Sequence, residues 1–391
     1  MSRRLLAALL GAALLAGAPA AAAEPPQLEA RAWALIDARS GDVLASHAGS
    51  QRLPIASTTK LMTAYVARRE LPLDRLVRAA PYAAIYGESL LELRPGERVS
   101  VRDLLYGLIL SSGNDAAYVL ALAAAGSEAA FVRQMNLRAA ALGLPDTHYA
   151  NPIGLDQAGN YSSALDLTAL ARRLLRDPVI AAIAASRSAV LRSLRPPRRI
   201  ETINDLLLTE PWASGVKTGH TFDAGYVLVG SGRRNGAELI SAVLGTASEA
   251  ARDGETARLL EYGFSRYRKR VPIRAGQSLA EPSIRYAGGE LPLRAMRTVA
   301  VGLRRGQRLA VRVRAPEQVE GPLRRGARLG RALVFVDGLR TAAVPLRAGR
   351  AVPKATGLER LRSFLADNAL WLVLALSAIL VAAVIRRRQR R

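Results

Sequence analysis

Ser57 and Lys60 lie three residues apart at the start of an apolar stretch that is predicted to be helical, from Ser57 to Arg69. On a helix this spacing places both side chains on one face, one turn apart. An amine within reach of a hydroxyl is the smallest arrangement that can activate a serine as a nucleophile. The pair indicates nucleophilic catalysis by a serine, although about one chain in four of this size and composition would contain such a spacing by chance.

Lysine is rare in this chain, which makes the identity of residue 60 informative. Of the 56 Lys and Arg residues, the lysines are Lys60, Lys217, Lys269 and Lys354. Arginine keeps its proton in proteins, whereas a buried lysine can become neutral and act as a base. A lysine retained among so many arginines indicates a role that requires loss of the proton.

Two further polar motifs follow along the chain. Ser112-Gly113-Asn114 separates two apolar helices, the first of which is predicted to begin with a capping box at Ser100 and Asp103. Such a corner is by itself more often a helix–helix turn than a site. Lys217-Thr218-Gly219 is much rarer by chance. The three motifs together, in this order, are far stronger evidence for a site than any one of them.

The three motifs resemble those of penicillin-binding proteins and serine β-lactamases, which carry a Ser-x-x-Lys, a Ser-x-Asn and a Lys-Thr-Gly. Over about residues 27–350 the chain is most similar to the low-molecular-mass D-alanyl-D-alanine carboxypeptidases. The segments that carry this resemblance are Pro54–Lys60, Leu110–Ala116, Asn151-Pro152-x-Gly154-Leu155 and Gly215–Thr221.

The resemblance implies a catalytic role for three residues. Ser57 is then the nucleophile that forms the acyl-enzyme, and Lys60 is its general base, kept partly neutral by burial and by Lys217. Ser112 relays a proton towards the leaving D-alanine. The resemblance implies no metal and no cofactor.

The resemblance also implies the residues that bind the substrate. They are Asn114, Lys217, Thr218, Gly219 and His220. Asn114 positions the base and the substrate backbone, and Lys217 with Thr218 holds the terminal carboxylate. Thr218 and Gly219 let a strand edge pair with the peptide, and the backbone N–H groups of Ser57 and His220 form the oxyanion hole.

Two side chains near this set are less defined. The His220 side chain is as well explained by packing or a hydrogen bond as by catalysis. Arg252 is an additional candidate for the carboxylate pocket. No glutamate occurs between Asn151 and Arg176, where a class A β-lactamase has the residue that drives fast deacylation. Penicillin is therefore expected to acylate Ser57 and to leave slowly.

The elements around the motifs predict an α/β sandwich at residues 24–270. Short strands near both ends, at 29–47 and 225–244, enclose a run of helices, which is typical of an antiparallel sheet covered by helices, as in the β-lactamase/transpeptidase fold. Residues 271–350 consist of short alternating runs with glycine-rich turns and predict a small all-β domain. Its 16 Arg against 5 acidic residues give it a charge of +11, which is a surface for contacts or simply a solvated face.

The first residues have the composition of a secretory signal peptide. Arg3 and Arg4 precede an apolar run that extends to Leu15, and Ala21-Ala22-Ala23 follows. A charged region, a short apolar region and a small-residue cleavage site are the three parts of an export signal, so residues 1–23 are predicted to be removed. An uncleaved anchor is the alternative.

Residues 369–385 are predicted to form a transmembrane helix after a linker at 351–368. They contain no charge, and the basic tail 386–391 that follows favours the cytoplasmic side. Seventeen helical residues reach about 25 Å, the short limit for a span. A buried core helix and an in-plane helix are alternatives, the latter disfavoured because no polar face is present. The protein is expected on the outer, periplasmic side of the inner membrane, held by this single anchor.

The composition narrows the partners. The absence of cysteine excludes disulfides and thiolate sites, and the net charge of +24 would normally point to nucleic acid. Export makes an anionic membrane surface or a cell-wall polymer the better partner, and no nucleic-acid partner is expected. The hypothesis is a serine D,D-carboxypeptidase that trims D-alanine from peptidoglycan stem peptides and is acylated by β-lactams. A D,D-endopeptidase, a weak β-lactamase or an inert cell-wall-binding scaffold are the alternatives.

Overall fold

The computed structural model describes residues 24–388, so the predicted signal peptide and the last three residues of the basic tail lie outside the described residues. Within this range, the helices follow one another in the order α1 Lys60–Glu70, α2 Val101–Ile109, α3 Asn114–Ala125, α4 Glu128–Leu142, α5 Ala164–Leu174, α6 Pro178–Ala184, α7 Asp205–Thr209, α8 Glu249–Ser265, α9 Gly357–Asp367 and α10 Ala369–Arg388.

The strands of the first half of the molecule are β1 Ala32–Asp37, β2 Val43–His47, β3 Leu76–Arg78, β4 Arg98–Ser100, β5 Ser188–Leu191, β6 Arg198–Glu201, β7 Ala213–Thr221, β8 Gly225–Arg234 and β9 Ala237–Thr246. Five of them form an antiparallel sheet of order β2-β1-β9-β8-β7. Because β1 pairs with β9, strands from the two ends of this half lie side by side, and the helices between them in the chain must cover the sheet.

Both faces of this sheet are buried. In β1, Ala34 and Ile36 point into a core shared with α1, α3 and α5, whereas Trp33 and Leu35 point into a second core formed with α8. This alternation is the period of two expected of a strand whose two faces are both covered. The predicted α/β sandwich is thereby confirmed.

The predicted nucleophile, Ser57, precedes α1, a helix that is largely buried in the sandwich. Leu61, Met62, Ala64 and Val66 of α1 are fully buried, and burial of each larger side chain contributes about 1.5–3 kcal/mol. The α-helix begins only at Lys60, because residues Ala56–Thr59 form a 3₁₀ turn. The sequence predicted that Ser57 would be the first residue of the helix. It lies instead on the tighter turn that precedes the helix.

The predicted cap at Ser100 is present, but its reciprocal bond is not. The Ser100 hydroxyl accepts from the backbone N–H of Asp103 at 3.1 Å. The Asp103 carboxylate accepts instead from the backbone N–H and hydroxyl of Ser193, at 2.8 and 2.6 Å. This acidic residue ties α2 to a loop 90 residues further along the chain.

The second half has its own core and sheets, as predicted for a small all-β domain. Its strands are β10 Tyr267–Ile273, β11 Ser278–Ala280, β12 Ser283–Ile284, β13 Leu293–Ala295, β14 Val299–Arg304, β15 Leu309–Arg314, β16 Gln318–Val319, β17 Arg328–Val336 and β18 Leu339–Ala348. Five of them form the sheet β11-β13-β18-β17-β15. Strand β10 runs through position 270, where the sequence predicted the boundary.

Two helices end the described chain. Helix α9 occupies most of the segment 351–368 that was predicted as a linker, and α10 follows it directly. Helix α10 is long and apolar enough to cross a membrane, with a mean hydropathy of 2.4, and none of it is buried against the rest of the protein. At 20 residues it reaches about 30 Å, the thickness of a bilayer core.

Candidate active site

The hydroxyl of Ser57 lies beside the amine of Lys60. The Lys60 Nζ donates to the Ser57 Oγ at 2.8 Å. Ser57 is only half-buried, so a substrate can reach its oxygen, whereas Lys60 is fully buried. The residue before the serine, Ala56, has φ of +45° and turns the chain sharply into this position.

Burial and charge both favour the neutral form of Lys60. Burial lowers the pKa of this amine well below its usual value, and the nearby charge of Lys217 lowers it further. The carboxylates of Glu88 and Asp115 act in the opposite direction. Only a neutral amine can accept the Ser57 proton, so the lowered pKa of Lys60 favours the protonation state that a nucleophile and its base require.

A main-chain carbonyl completes the environment of Lys60. Its Nζ also donates to the carbonyl oxygen of Ile153 at 2.7 Å. The loop that presents this carbonyl is shaped by Asn151, whose Oδ1 accepts from the N–H groups of Ile153 and Gly154 at 3.2 and 2.6 Å. The hydroxyl of Thr63, one turn along α1, donates to the Pro152 carbonyl at 2.5 Å. The residue types of this segment carry the family resemblance, but its contact with Lys60 is made by a main-chain carbonyl and is not visible in the sequence.

Gly154 allows the same loop to approach the 3₁₀ turn Ala56–Thr59, which carries Ser57 and is called the nucleophile turn below. Its φ is +92°, and a Cβ at this position would lie 2.1 Å from the Ala56 carbonyl oxygen and 3.0 Å from the Ser57 nitrogen. Only glycine combines that dihedral angle with that approach. The loop and the turn therefore support each other.

Ser112 and Asn114 lie at the corner between α2 and α3, as the sequence predicted. Ser112 is buried and has φ of +60°, and the N–H of Gly113 donates to Gly107 at 3.0 Å. The Asn114 Nδ2 donates to the Glu88 carboxylate at 2.7 Å. Glu88, which belongs to none of the sequence motifs, is thus part of the site.

Strand β7 carries Lys217, Thr218, Gly219 and His220 past the nucleophile. A Cβ on Gly219 would lie 2.8 Å from the Ser57 nitrogen, so this glycine lets the strand run against the nucleophile turn. The strand is at the edge of the sheet in the described residues. An edge strand offers backbone N–H and C=O groups to an extended peptide.

Lys217 is a second buried amine. Its Nζ donates to the Thr218 carbonyl at 2.9 Å. Burial, followed by the charge of Arg252, lowers the pKa of Lys217 to about 7. An anion that binds here would restore its positive charge.

The His220 ring is exposed and stacks on Tyr226 with the ring centres 4.0 Å apart. Packing was one of the two explanations for this side chain that the sequence left equally open. The backbone of His220 remains on the strand beside Gly219.

Arg252 is buried on α8 between two acidic partners. Its guanidinium contacts Glu249 and Asp253 at 2.8 Å each. Burial lowers its pKa, but the bonds to these carboxylates outweigh burial and raise it. The described residues contain one cluster of carboxylates close enough for a metal, formed by Asp205, Glu249 and Asp253. Because Arg252 pairs with two of its members, the cluster is explained as an ion-pair network.

The arrangement is suited to acyl transfer. It combines a reachable hydroxyl, a buried amine of lowered pKa bonded to it, a second amine that can hold an anion and an edge strand that can hold a peptide. The structure brings together Ser57, Lys60 and the backbone at Gly219 by direct contact. Lys217 acts on Lys60 electrostatically, because its charge lowers the pKa of Lys60.

The chain is similar in sequence to known D-alanyl-D-alanine carboxypeptidases. The family model described as D-alanyl-D-alanine carboxypeptidase matches residues 19–248. The D-alanyl-D-alanine carboxypeptidase DacC of Escherichia coli (strain K12) is 35% identical over 328 residues, which are 78% of this chain and 80% of that protein. DacF of Bacillus subtilis (strain 168) is 29% identical over 384 residues, 94% of this chain and 99% of that protein.

Solved structures show the same likeness. Penicillin binding protein 5 from Haemophilus influenzae superimposes with a TM-score of 0.60 at 29% identity, covering 85% of this chain and 100% of that one. The D-alanyl-D-alanine carboxypeptidase DacD from Francisella tularensis also gives 0.60, at 28% identity, with 85% and 96% covered.

Proposed function

This chain belongs to the D-alanyl-D-alanine carboxypeptidase family, and on that premise we propose that Ser57 carries the acyl group when the terminal D-alanine is released from peptidoglycan stem peptides. It is a serine-type peptidase. The observation that carries the assignment of the nucleophile is the 2.8 Å bond between Ser57 Oγ and the amine of Lys60, a buried group whose pKa is strongly lowered.

Acylation begins with proton transfer from Ser57 to Lys60. The Ser57 oxygen attacks the carbonyl carbon of the penultimate D-alanine, and the carbonyl oxygen becomes an oxyanion. The backbone N–H groups of Ser57 and His220 stabilise this charge. The close approach of Gly219 to the Ser57 nitrogen supports this placement, because it brings the β7 backbone beside the nucleophile.

The leaving D-alanine takes the proton that Lys60 received, with Ser112 as the relay, and the C–N bond breaks. Water then attacks the ester on Ser57 and gives a proton to Lys60. Lys60 passes this proton to the Ser57 oxygen as the ester C–O bond breaks, which releases the shortened peptide and restores the free serine and the neutral amine. Each step uses a base that alternates between neutral and charged forms, which a lysine with a lowered pKa can do.

The substrate is held by its backbone and by its terminal carboxylate. The free edge of β7 pairs with the extended peptide, with Asn114 on the other side of the cleft. Lys217 and Thr218 bind the carboxylate, and Arg252 adds charge from α8. The lowered pKa of Lys217 is consistent with this role. In the free site the positive charge of Lys217 is disfavoured, and a bound carboxylate would raise the pKa again and stabilise the cation that holds it.

A β-lactam acylates the same serine. One of the similar structures is a penicillin binding protein, and the chain has no glutamate between Asn151 and Arg176 to hydrolyse the ester rapidly. We therefore expect a long-lived penicilloyl-enzyme. The reaction takes place on the outer side of the inner membrane, where α10 anchors the enzyme. The length and the apolar composition of α10 support this location.

A fluorescent penicillin tests the nucleophile. The full-length protein in detergent is labelled and compared with Ser57→Ala, with Ser50→Ala as the control because Ser50 is an exposed serine nearby. Wild type and Ser50→Ala should be labelled, and Ser57→Ala should lose the label and at least about a thousandfold of its turnover. Equal labelling of Ser57→Ala would contradict the proposal.

A second measurement separates the carboxypeptidase from its alternatives. Free D-alanine is measured after addition of a pentapeptide ending in D-alanyl-D-alanine, and cleavage of cross-linked peptide dimers is measured beside it. Release of D-alanine with little dimer cleavage is the expected result. Cleavage of dimers alone would indicate an endopeptidase, rapid loss of the penicillin label a β-lactamase, and no reaction at all an inert scaffold.

A further inference from the structure

Glu88 lies in the loop that joins β3 to β4, and both oxygens of its carboxylate accept hydrogen bonds from neighbouring residues. One oxygen accepts from Asn114 Nδ2 at 2.7 Å and from the hydroxyl of Tyr82. The other accepts from the backbone N–H of Ile85 at 3.1 Å. The pKa of Tyr82 is raised by burial and by Glu88, so its hydroxyl keeps the proton that it donates.

The loop is fastened to the start of α3. The Asp115 carboxylate accepts from the N–H groups of Leu91 and Leu93, at 2.8 and 2.9 Å. The N–H of Asn114 donates to the Ser89 carbonyl at 2.8 Å. Bonds on both sides of Glu88 therefore fix where its carboxylate stands relative to Asn114.

Glu88 is ionised and acts on the charge of Lys60. Burial raises the pKa of Glu88, but the bonds from Tyr82 and Asn114, the Ile85 amide and the charge of Lys60 together lower it. The charged groups that face Lys60 are Lys217 from β7, Asp115 from α3 and Glu88. The Asp115 carboxylate is engaged by the amides of Leu91 and Leu93, in the loop that holds Glu88. Of the two carboxylates, Glu88 is the one that accepts from the side chain of Asn114, a predicted substrate-binding residue.

Resting on the proposed function, we infer that Glu88 is a positioning residue of the acylation step: it orients the amide of Asn114 and places a negative charge opposite the ammonium that forms on Lys60. When Lys60 takes the Ser57 proton, a new cation appears in a buried site that already holds Lys217. Charges inside a protein interact more strongly than in water, so a fixed carboxylate lowers the energy of that state.

The same carboxylate sets the orientation of the Asn114 side chain. An ionised carboxylate can only accept hydrogen bonds, so Asn114 must present its NH₂ group to Glu88 and turn its oxygen away. A glutamine at position 88 could either donate or accept, and the Asn114 amide would no longer have a single orientation. Charge and orientation are thus two separable effects of one residue.

The test measures the acylation rate of the full-length protein in detergent with a fluorescent penicillin from pH 5 to 9. Glu88→Gln is compared with Glu92→Gln, which removes the same charge from an exposed position of the same loop. Because Glu88 raises the pKa of Lys60, its loss should move the acid limb of the profile to lower pH. The maximum rate should fall at least about tenfold, as for a lost bond to a charged group. Glu92→Gln should match wild type.

Two variants keep the negative charge. Tyr82→Phe removes one bond to Glu88, and its acid limb should stay in place. Glu88→Asp retains the charge on a shorter side chain, so it should keep the wild-type limb while its maximum rate falls. If melting curves show that Glu88→Gln does not fold, Glu88→Asp decides the matter, and a wild-type maximum rate for it would overturn the inference.

The outcomes separate this inference from the proposed function. A wild-type protein that penicillin does not label contradicts the proposed function itself. A labelled wild type, with Glu88→Gln unchanged in both acid limb and maximum rate, contradicts the role of Glu88 alone. A fall in rate without movement of the limb also overturns it, because a merely structural residue would give that result.

Discussion

Arg252, Lys217 and Lys60 form a series of basic side chains that leads from α8 to the proposed nucleophile, Ser57. Arg252 lowers the pKa of Lys217, and Lys217 lowers the pKa of Lys60. The acidic partners Glu249 and Asp253 hold Arg252 in its charged form. A carboxylate that binds at Lys217 changes the charge felt by Lys60, so substrate binding and base strength are coupled.

The pKa of Lys217 predicts the alkaline side of the pH profile. In the free enzyme the fraction of cationic Lys217 falls as pH rises through about 7, so kcat/KM for a peptide with a free terminal carboxylate should decline above that pH. Arg252→Gln removes a charge that lowers this pKa. The alkaline limb should therefore move to higher pH, even though the overall rate falls.

Arg258→Gln is the matched control, because Arg258 is an exposed arginine on the same helix. Initial rates of D-alanine release between pH 6 and 10 give the position of the limb. An Arg252→Gln limb that coincides with those of wild type and Arg258→Gln would show that Arg252 does not act on Lys217.

The residues of the site differ in how far sequence could reveal them. Ser57, Lys60 and the residues of β7 have side chains with a recognisable spacing, which is why motif analysis found them. Ile153 contributes only its carbonyl, 93 residues from Lys60, and a main-chain group leaves no trace in residue identity. Glu88 meets Asn114 across 26 residues, a contact that only the folded loop creates.

Elements were predictable where one pattern dominated. The alternating strands and the cap at Ser100 were readable, and the structure has them. Helix α4 was missed: it buries only Phe131, Met135 and Ala139 along one stripe, so the alanines around it carry little periodic signal. The 3₁₀ turn at Ser57 was missed as well, because contacts with Gly154 and β7 decide it, not local propensity.

The loop 151–155 should prove as important as the nucleophile turn it supports. Gly154→Ala would add a Cβ 2.1 Å from the Ala56 carbonyl in a left-handed conformation, whereas Gly159→Ala has φ of +84° but its nearest neighbour is 3.5 Å away. We expect Gly159→Ala to cost about 1 kcal/mol from its dihedral angle. Gly154→Ala should cost at least about 2 kcal/mol more from the steric overlap.

Urea unfolding gives both free energies, and the acylation rate should fall at least about a hundredfold in Gly154→Ala alone, as expected when reacting groups are displaced by about 1 Å. Equal losses of stability and rate in the two variants would mean that only the backbone angle matters and that the contact with the nucleophile turn does not.

The whole molecule is a catalytic sandwich, a β domain joined to it, and a C-terminal helical pair. The Tyr267 hydroxyl donates to Asp37 at 2.5 Å across the junction of the first two. Helix α9 contacts the β domain through Arg360, which pairs with Glu320 at 3.0 Å and lies over the ring of Tyr286. The cap of α9, Thr356 with Glu359, was readable in the sequence but was overlooked because the segment lies between two stronger patterns.

The apolar composition of residues 369–385 predicted a span, and a helix there is what the structure shows, but α9 adds a second apolar surface. Leu358, Leu361 and Phe364 are exposed on it, spaced as one face of a helix. Two truncations separate the helices: a chain ending at residue 355 lacks both, and a chain ending at 368 lacks only α10. The hydrophobic cores seen among residues 24–388 end by Val352, so both chains should fold and be labelled by penicillin at the wild-type rate.

If α10 is the anchor, both truncated chains should leave the membrane fraction while the full chain stays in it after a high-salt wash. Salt screens the attraction of arginines to anionic lipid but does not remove a helix that spans the bilayer. Retention of the 368 chain, with loss of the 355 chain, would place the attachment on α9 lying in the plane of the membrane. Retention of both until salt is added would assign it to the basic β domain, whose arginines then hold the enzyme against the membrane without a span.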